Sequence, residues 1–85
     1  MQNHNIRKVT CIDLIHSDIL YDQLSDLVGA LFIMQVGRSI IFYDQPNETP
    51  MDKAKHKEIE RHKHNAMAFE DEVTQEDIYN LMKEY

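Results

Sequence analysis

From residue 31 to residue 43 the chain reads LFIMQVGRSIIFY, two apolar runs on either side of a single glycine. Both flanks are rich in β-branched and aromatic residues, and Gly37 supplies the backbone freedom that a tight turn needs. The spacing therefore predicts a β-hairpin over about 30–44, with residues 35–38 as the turn region. A buried helix over 24–34 is the competing reading, because Leu24, Leu27, Val28 and Leu31 also keep helical spacing. The hairpin is preferred, and it fixes the rest: whatever else this chain builds must cover a small antiparallel sheet.

With 85 residues there is room for one domain, 1–85. Cys11 is the only cysteine. An internal disulfide is excluded and a cysteine-rich zinc ribbon has too few sulfurs. A core this small gains stability from self-association, so a homodimer is one expectation. The run IIFY (40–43) is either a central strand or an adhesive edge through which two copies could pair.

Helical signals surround the hairpin. Residues 17–29 read as a helix capped by Ser17 and closed by Gly29. After the loop DQPNETP (44–50), Pro50 to about residue 70 reads as a second helix, with Pro50 suited to its first position. In TQEDIYNLMKEY (74–85), Thr74 is a good N-cap and Glu76 and Asp77 favour the first turn. Ile78, Leu81, Met82 and Tyr85 then form one apolar stripe. Residues 6–15 favour a strand by composition, although Ile12, Ile15 and Ile19 also have helical spacing. The expected order is β-α-β-β-α-α, an α+β fold with a small, mostly antiparallel sheet.

Charge is distributed unevenly. The net charge is −6, yet Lys53, Lys55, Lys57, Arg61 and Lys63 account for five of the nine basic side chains. They share residues 53–65 with three of the five histidines, His56, His62 and His64. Between residues 55 and 65 only Ile59 is apolar, so about two turns of that helix have little to bury. Glu58 precedes His62, and Glu60 precedes His64, by one helical turn, a spacing that favours ion pairs within the helix. The two histidines point about 200° apart and cannot share a metal, and Glu58 with His62 is at most half a site. No metal or cofactor is expected. Phosphate binding by the five cations is the alternative function, a nucleic-acid-associated regulator. Direct contact with nucleic acid is disfavoured by the acidic segments on both sides and by the lack of interleaved aromatic rings.

Asp18, Asp22 and Asp26 recur every four residues and form one column on the predicted helix, neighbours about 6 Å apart along the axis. The plain interpretation is the wet side of a helix whose other side is Ile19, Leu20, Leu24, Leu27 and Val28. The functional one is a row of charge offered to a basic partner, which Glu70, Asp71 and Glu72 would extend if the fold brought them near. Reactive groups are otherwise scattered. Cys11 lies in an apolar stretch where thiols are inert, and Asp13 with His16 suits a local hydrogen bond. No phosphate loop or nucleophile motif occurs. The opening MQNHNIRKV lacks the apolar core of an export signal, and the longest apolar run has eight residues, so a cytoplasmic protein with no membrane role is expected.

These features together predict a non-enzymatic, protein-binding inhibitor or regulator. Asp18, Asp22, Asp26, Glu70, Asp71 and Glu72 would cover a Lys/Arg-rich surface on a partner, such as one that binds nucleic acid.

Overall fold

The computed structural model describes residues 6–29, 32–44 and 50–83. The element order is β1 (Ile6–Thr10), α1 (Leu14–Val28), β2 (Ile33–Val36), β3 (Ser39–Tyr43), α2 (Pro50–Asn65), β4 (Phe69–Asp71) and α3 (Gln75–Lys83). The α+β class and antiparallel sheet are as expected, with one strand more than the sequence suggested. The strands lie in the order β2-β3-β1-β4, and every neighbouring pair is antiparallel.

The hairpin forms with a two-residue loop. Gly37 has φ 61°, the positive value that a type II′ turn needs at its first central position. Ser17 reinforces it from α1: its hydroxyl donates to the Gly37 carbonyl (3.0 Å) and accepts from Gln35 (2.9 Å). That use of Ser17 corrects the expected helix start. Asp13 caps α1 instead, accepting from the His16 backbone N–H at 2.8 Å, and Ser17 is fully buried inside the helix. Gly29 closes α1 as expected, at φ 90°.

Helix α2 ends at Asn65, well short of residue 70. Ala68 N–H reaches back to the Lys63 carbonyl and Met67 N–H to the His64 carbonyl, with Met67 at φ 53°. This is a Schellman ending in which methionine occupies the position glycine usually takes. The reversal frees residues 69–71 to pair with β1. At α3, Thr74 caps as expected: its hydroxyl accepts from Asp77 N–H (3.1 Å) and the Asp77 carboxylate accepts from Thr74 N–H (3.0 Å). Of the sequence expectations, loop residues 45–49, Leu31 and Tyr85 lie outside the described residues.

Strand register sorts the side chains. Val9, Ile40, Phe42 and Ile33 point to one face, where they pack with Leu20 and Leu24 of α1 and Ile59 of α2. Burying each such side chain stabilises the fold by about 1.5–3 kcal/mol. Lys8 and Ile41 point to the opposite face, where Lys8 bonds Asp77 of α3 at 3.2 Å. Two helices thus cover one side of the sheet and α3 the other. IIFY is β3, paired on both sides, so it offers no edge for a second copy. No described helix is long and apolar enough to cross a membrane.

Candidate functional site

Helix α1 buries Ser17, Leu20 and Leu24 against α2, β2 and β3. At 3.6 residues per turn, the residues opposite that stripe are 15, 18, 19, 22 and 26, which fall within an arc of about 100°. Asp18, Asp22 and Asp26 are all exposed, so the aspartate column exists as the sequence proposed. Asp18 accepts a hydrogen bond from the Gln35 amide at 2.7 Å. Asp22 and Asp26 meet no cation or hydrogen-bond donor among the described residues.

The column has apolar company that the sequence reading placed wrongly. Ile19, assigned to the buried side, is 52% exposed and Ile15 is 69% exposed. Both lie within the aspartate arc, one turn apart. The side of α1 that faces away from the core is therefore a mixed surface of isoleucine and carboxylate. Leu14 at the helix start and Ile12 just before it are also exposed.

The second acidic group does not join it. Helix α1 packs over β2 and β3, whereas Glu70 and Asp71 lie on β4, at the other end of the sheet. Two of the three are also engaged at home. Glu70 takes a bidentate contact from Arg7 (2.8 and 3.1 Å) and another from Lys63 (3.0 Å). Asp71 accepts from Thr10 (2.9 Å) and from Glu72 N–H (2.8 Å). Only the Glu72 side chain remains exposed without such a contact among the described residues.

The basic segment is partly neutralised in the same way. Arg61 pairs with Glu58, while Lys63 pairs with Glu60 (3.4 Å) and Glu70 (3.0 Å). Lys53, Lys55 and Lys57 show no ion pair with another described residue. His62 Nε2 lies 3.6 Å from Glu58, as the helical spacing predicts, but its buried Nδ1 has no partner among the described residues. Among the described residues no group of three His, Cys, Asp or Glu is placed to hold a metal ion.

Sequence reasoning overlooked Arg7. It lies on the core side of β1 with its side chain 17% exposed, and it contacts Asp44 (3.0 Å), Glu60 (2.6 Å) and Glu70. It also lies over the Phe42 ring, 5.5 Å from the centroid. Burial opposes its charge, but the Glu70, Glu60 and Asp44 contacts more than offset this and raise the guanidinium above its ordinary range. In return, the Arg7 hydrogen bond leads in holding the Glu70 carboxyl below the usual value. Burial pushes Glu60 up, yet Arg7 and Lys63 outweigh it and leave that carboxyl low as well. His56 meets Asp44 at 3.1 Å on the edge of this network. The arrangement ties β1, the end of β3, α2 and β4 together, and it holds the Glu60 and Glu70 carboxyls below their ordinary value. That is a structural clamp, in which Glu60 and Glu70 are poor proton donors.

The other reactive candidates are likewise committed. Burial, followed by the charge of Asp13, pushes the Cys11 thiol up, and its side chain is fully enclosed. The His16 backbone N–H, then its ring, hold the Asp13 carboxyl down as a helix cap. Comparisons with family models, curated proteins and solved structures give no match to the chain.

Proposed function

We propose that this protein is a non-enzymatic, cytoplasmic binding module whose working surface is the outward side of α1, and that it acts by covering a basic surface of a partner protein. One observation carries the reading: Asp22 and Asp26 are exposed and, among the described residues, uncompensated, beside Asp18, while Ile15 and Ile19 stand exposed among them. Like-charge neighbours one turn apart destabilise a helix slightly when no cation lies between them. A partner that supplies Lys or Arg removes that penalty, and burying the isoleucines adds an apolar contribution. A second copy meeting the same face would set three aspartates against three, which favours a foreign partner. Where the covered surface binds nucleic acid, the consequence is competitive inhibition. Glu70 and Asp71 are left out of this surface because they serve the fold.

A display library tests this: a stable helical scaffold with one randomised face, selected against the protein. Enriched binders should carry Lys or Arg interleaved with aliphatic residues and should weaken as salt is added. Asp22→Asn with Asp26→Asn should weaken them about tenfold, from two contacts of ~0.5–1 kcal/mol each. Glu72→Gln with Glu76→Gln makes the same change in net charge elsewhere and should leave affinity within about twofold. Equal losses from both pairs, binders without basic residues, or no enrichment at all would refute the reading. Loss of binding only on Lys53/Lys55/Lys57→Glu would move the function to α2 and to an anionic partner.

A further inference from the structure

Beside the exposed face of α1, where that helix meets the end of α2, runs a groove of about 160 Å³ lined by His16, Ile19, Gln23, Asn65 and Ala66. We propose that this groove receives an aliphatic side chain of the partner, with Gln23 and Asn65 holding the peptide group next to it. The inference rests on the functional reading above and specifies the ligand: a peptide segment with an aliphatic anchor followed, about one turn later, by a Lys or Arg that reaches Asp22 or Asp26.

Size is the first argument. An apolar cavity of about 150 Å³ suffices to hold a benzene molecule, so a leucine or isoleucine side chain fits a groove of this volume. Lining chemistry is the second. Ile19 and Ala66 supply apolar walls, and His16 is held by its Nδ1 to Asp13 at 2.8 Å. The Gln23 and Asn65 side-chain amides make no hydrogen bond to another described residue. Each such amide carries both a donor and an acceptor, which matches the N–H and C=O of a peptide unit. Two unengaged amides flanking an apolar slot suit a peptide better than a lipid or a purely apolar molecule.

Charge and backbone conformation agree. Gln23 adjoins Asp22 in sequence, and Ile19 shares the exposed arc of α1 with it, so the groove opens beside uncompensated negative charge. Met67 directly follows the groove residue Ala66 and is 57% exposed at a positive φ of 53°. A left-handed methionine carries strain that glycine would avoid, and strain of this kind gathers at functional sites. It leaves an apolar side chain exposed at the end of α2, where an incoming aliphatic group would meet it.

Titrating isotope-labelled protein with N-acetyl-leucine-N-methylamide tests the groove by itself, since the probe is uncharged. Saturable shifts are expected at the amides of Ile19, Gln23, Asn65 and Ala66, with a Kd of about 1 mM or weaker. N-acetyl-glycine-N-methylamide should give none. Gln23→Trp, which fills the slot from the half-exposed flank of α1, should abolish the response. Asn65→Phe at the exposed end of α2 is the second variant should the first disturb folding, which the same spectrum reports. Shifts scattered over the surface, equal shifts with the glycine probe, or no saturable response would overturn the groove. Asp22→Asn with Asp26→Asn should leave the leucine response unchanged. The same pair should weaken binding of the peptide N-acetyl-Leu-Ala-Ala-Lys-amide roughly fivefold. If only that second effect is missing, the acidic face fails and the groove stands; if only the leucine response is missing, the reverse holds.

Discussion

Replacing Arg7 with methionine tests the internal electrostatics of this fold. Methionine keeps an unbranched stem over Phe42 and removes the guanidinium, so the change isolates charge from packing. Asp44, whose side chain is 9% exposed, would keep only the His56 contact among the described residues. Losing a charge-assisted hydrogen bond at such a site costs about 1.5–3 kcal/mol. Glu60 and Glu70 are 41% and 46% exposed and both retain Lys63, so water screens their loss to ~0–1 kcal/mol between them. The contact over Phe42 adds about 0.5–1 kcal/mol. Relief of the desolvated guanidinium works the other way, which brings the net to about 2–3 kcal/mol, below the ~3–5 kcal/mol typical of a fully buried pair.

Urea unfolding at neutral pH measures the loss, and repeating it in acid tests the cause. Glu60 and Glu70 sit below their ordinary value of 4.5 when folded, so the unfolded chain binds their protons more readily. Their stabilisation is complete above that ordinary value and disappears as pH falls through the lower folded values. Arg7→Met should therefore cost most at neutral pH and flatten the acid slope. A loss under about 1 kcal/mol at neutral pH, or an acid slope equal to that of the parent, would refute the clamp.

Two further substitutions should stabilise the protein. Met67→Gly removes left-handed strain at an exposed site and is expected to add about 0.5–1 kcal/mol, seen as a rise of a few degrees in Tm. His62→Leu replaces a ring whose buried Nδ1 lacks a partner among the described residues, and should raise the urea midpoint by the equivalent of ~1 kcal/mol with the slope unchanged.

Local signals carried most of the fold. Gly37 between two apolar runs announced the hairpin, and Thr74 with Asp77 announced α3. The elements that escaped depend on distant partners or on a choice between equal local signals. Strand β4 is Phe-Glu-Asp, with no apolar alternation; its pairing is secured by Arg7, which lies 63 residues from Glu70 in sequence. The end of α2 carries no glycine, so a methionine forced into the left-handed region gave no warning. Asp13 and Ser17 are both good caps, and only the burial of Ser17 against the hairpin turn decides between them. The aspartate column was legible because a period of four needs no tertiary information. Ile15 and Ile19 were not, since α1 carries more apolar residues than one buried stripe can hold, and the sequence does not say which are surplus.

Strand β4 also has a mechanical consequence. It is three residues long, exposed throughout and, among the described strands, paired to β1 alone, and it leads directly into α3. Residues 69–83 are fastened by Glu70 on one face of the sheet, and by the Thr10–Asp71 and Lys8–Asp77 contacts and the buried Leu81 on the other. Detaching them would uncover Ile41 while leaving β2, β3 and β1 under α1 and α2. Amides of residues 69–83 should accordingly exchange with solvent ahead of those in β3, whose release requires the whole molecule to come apart.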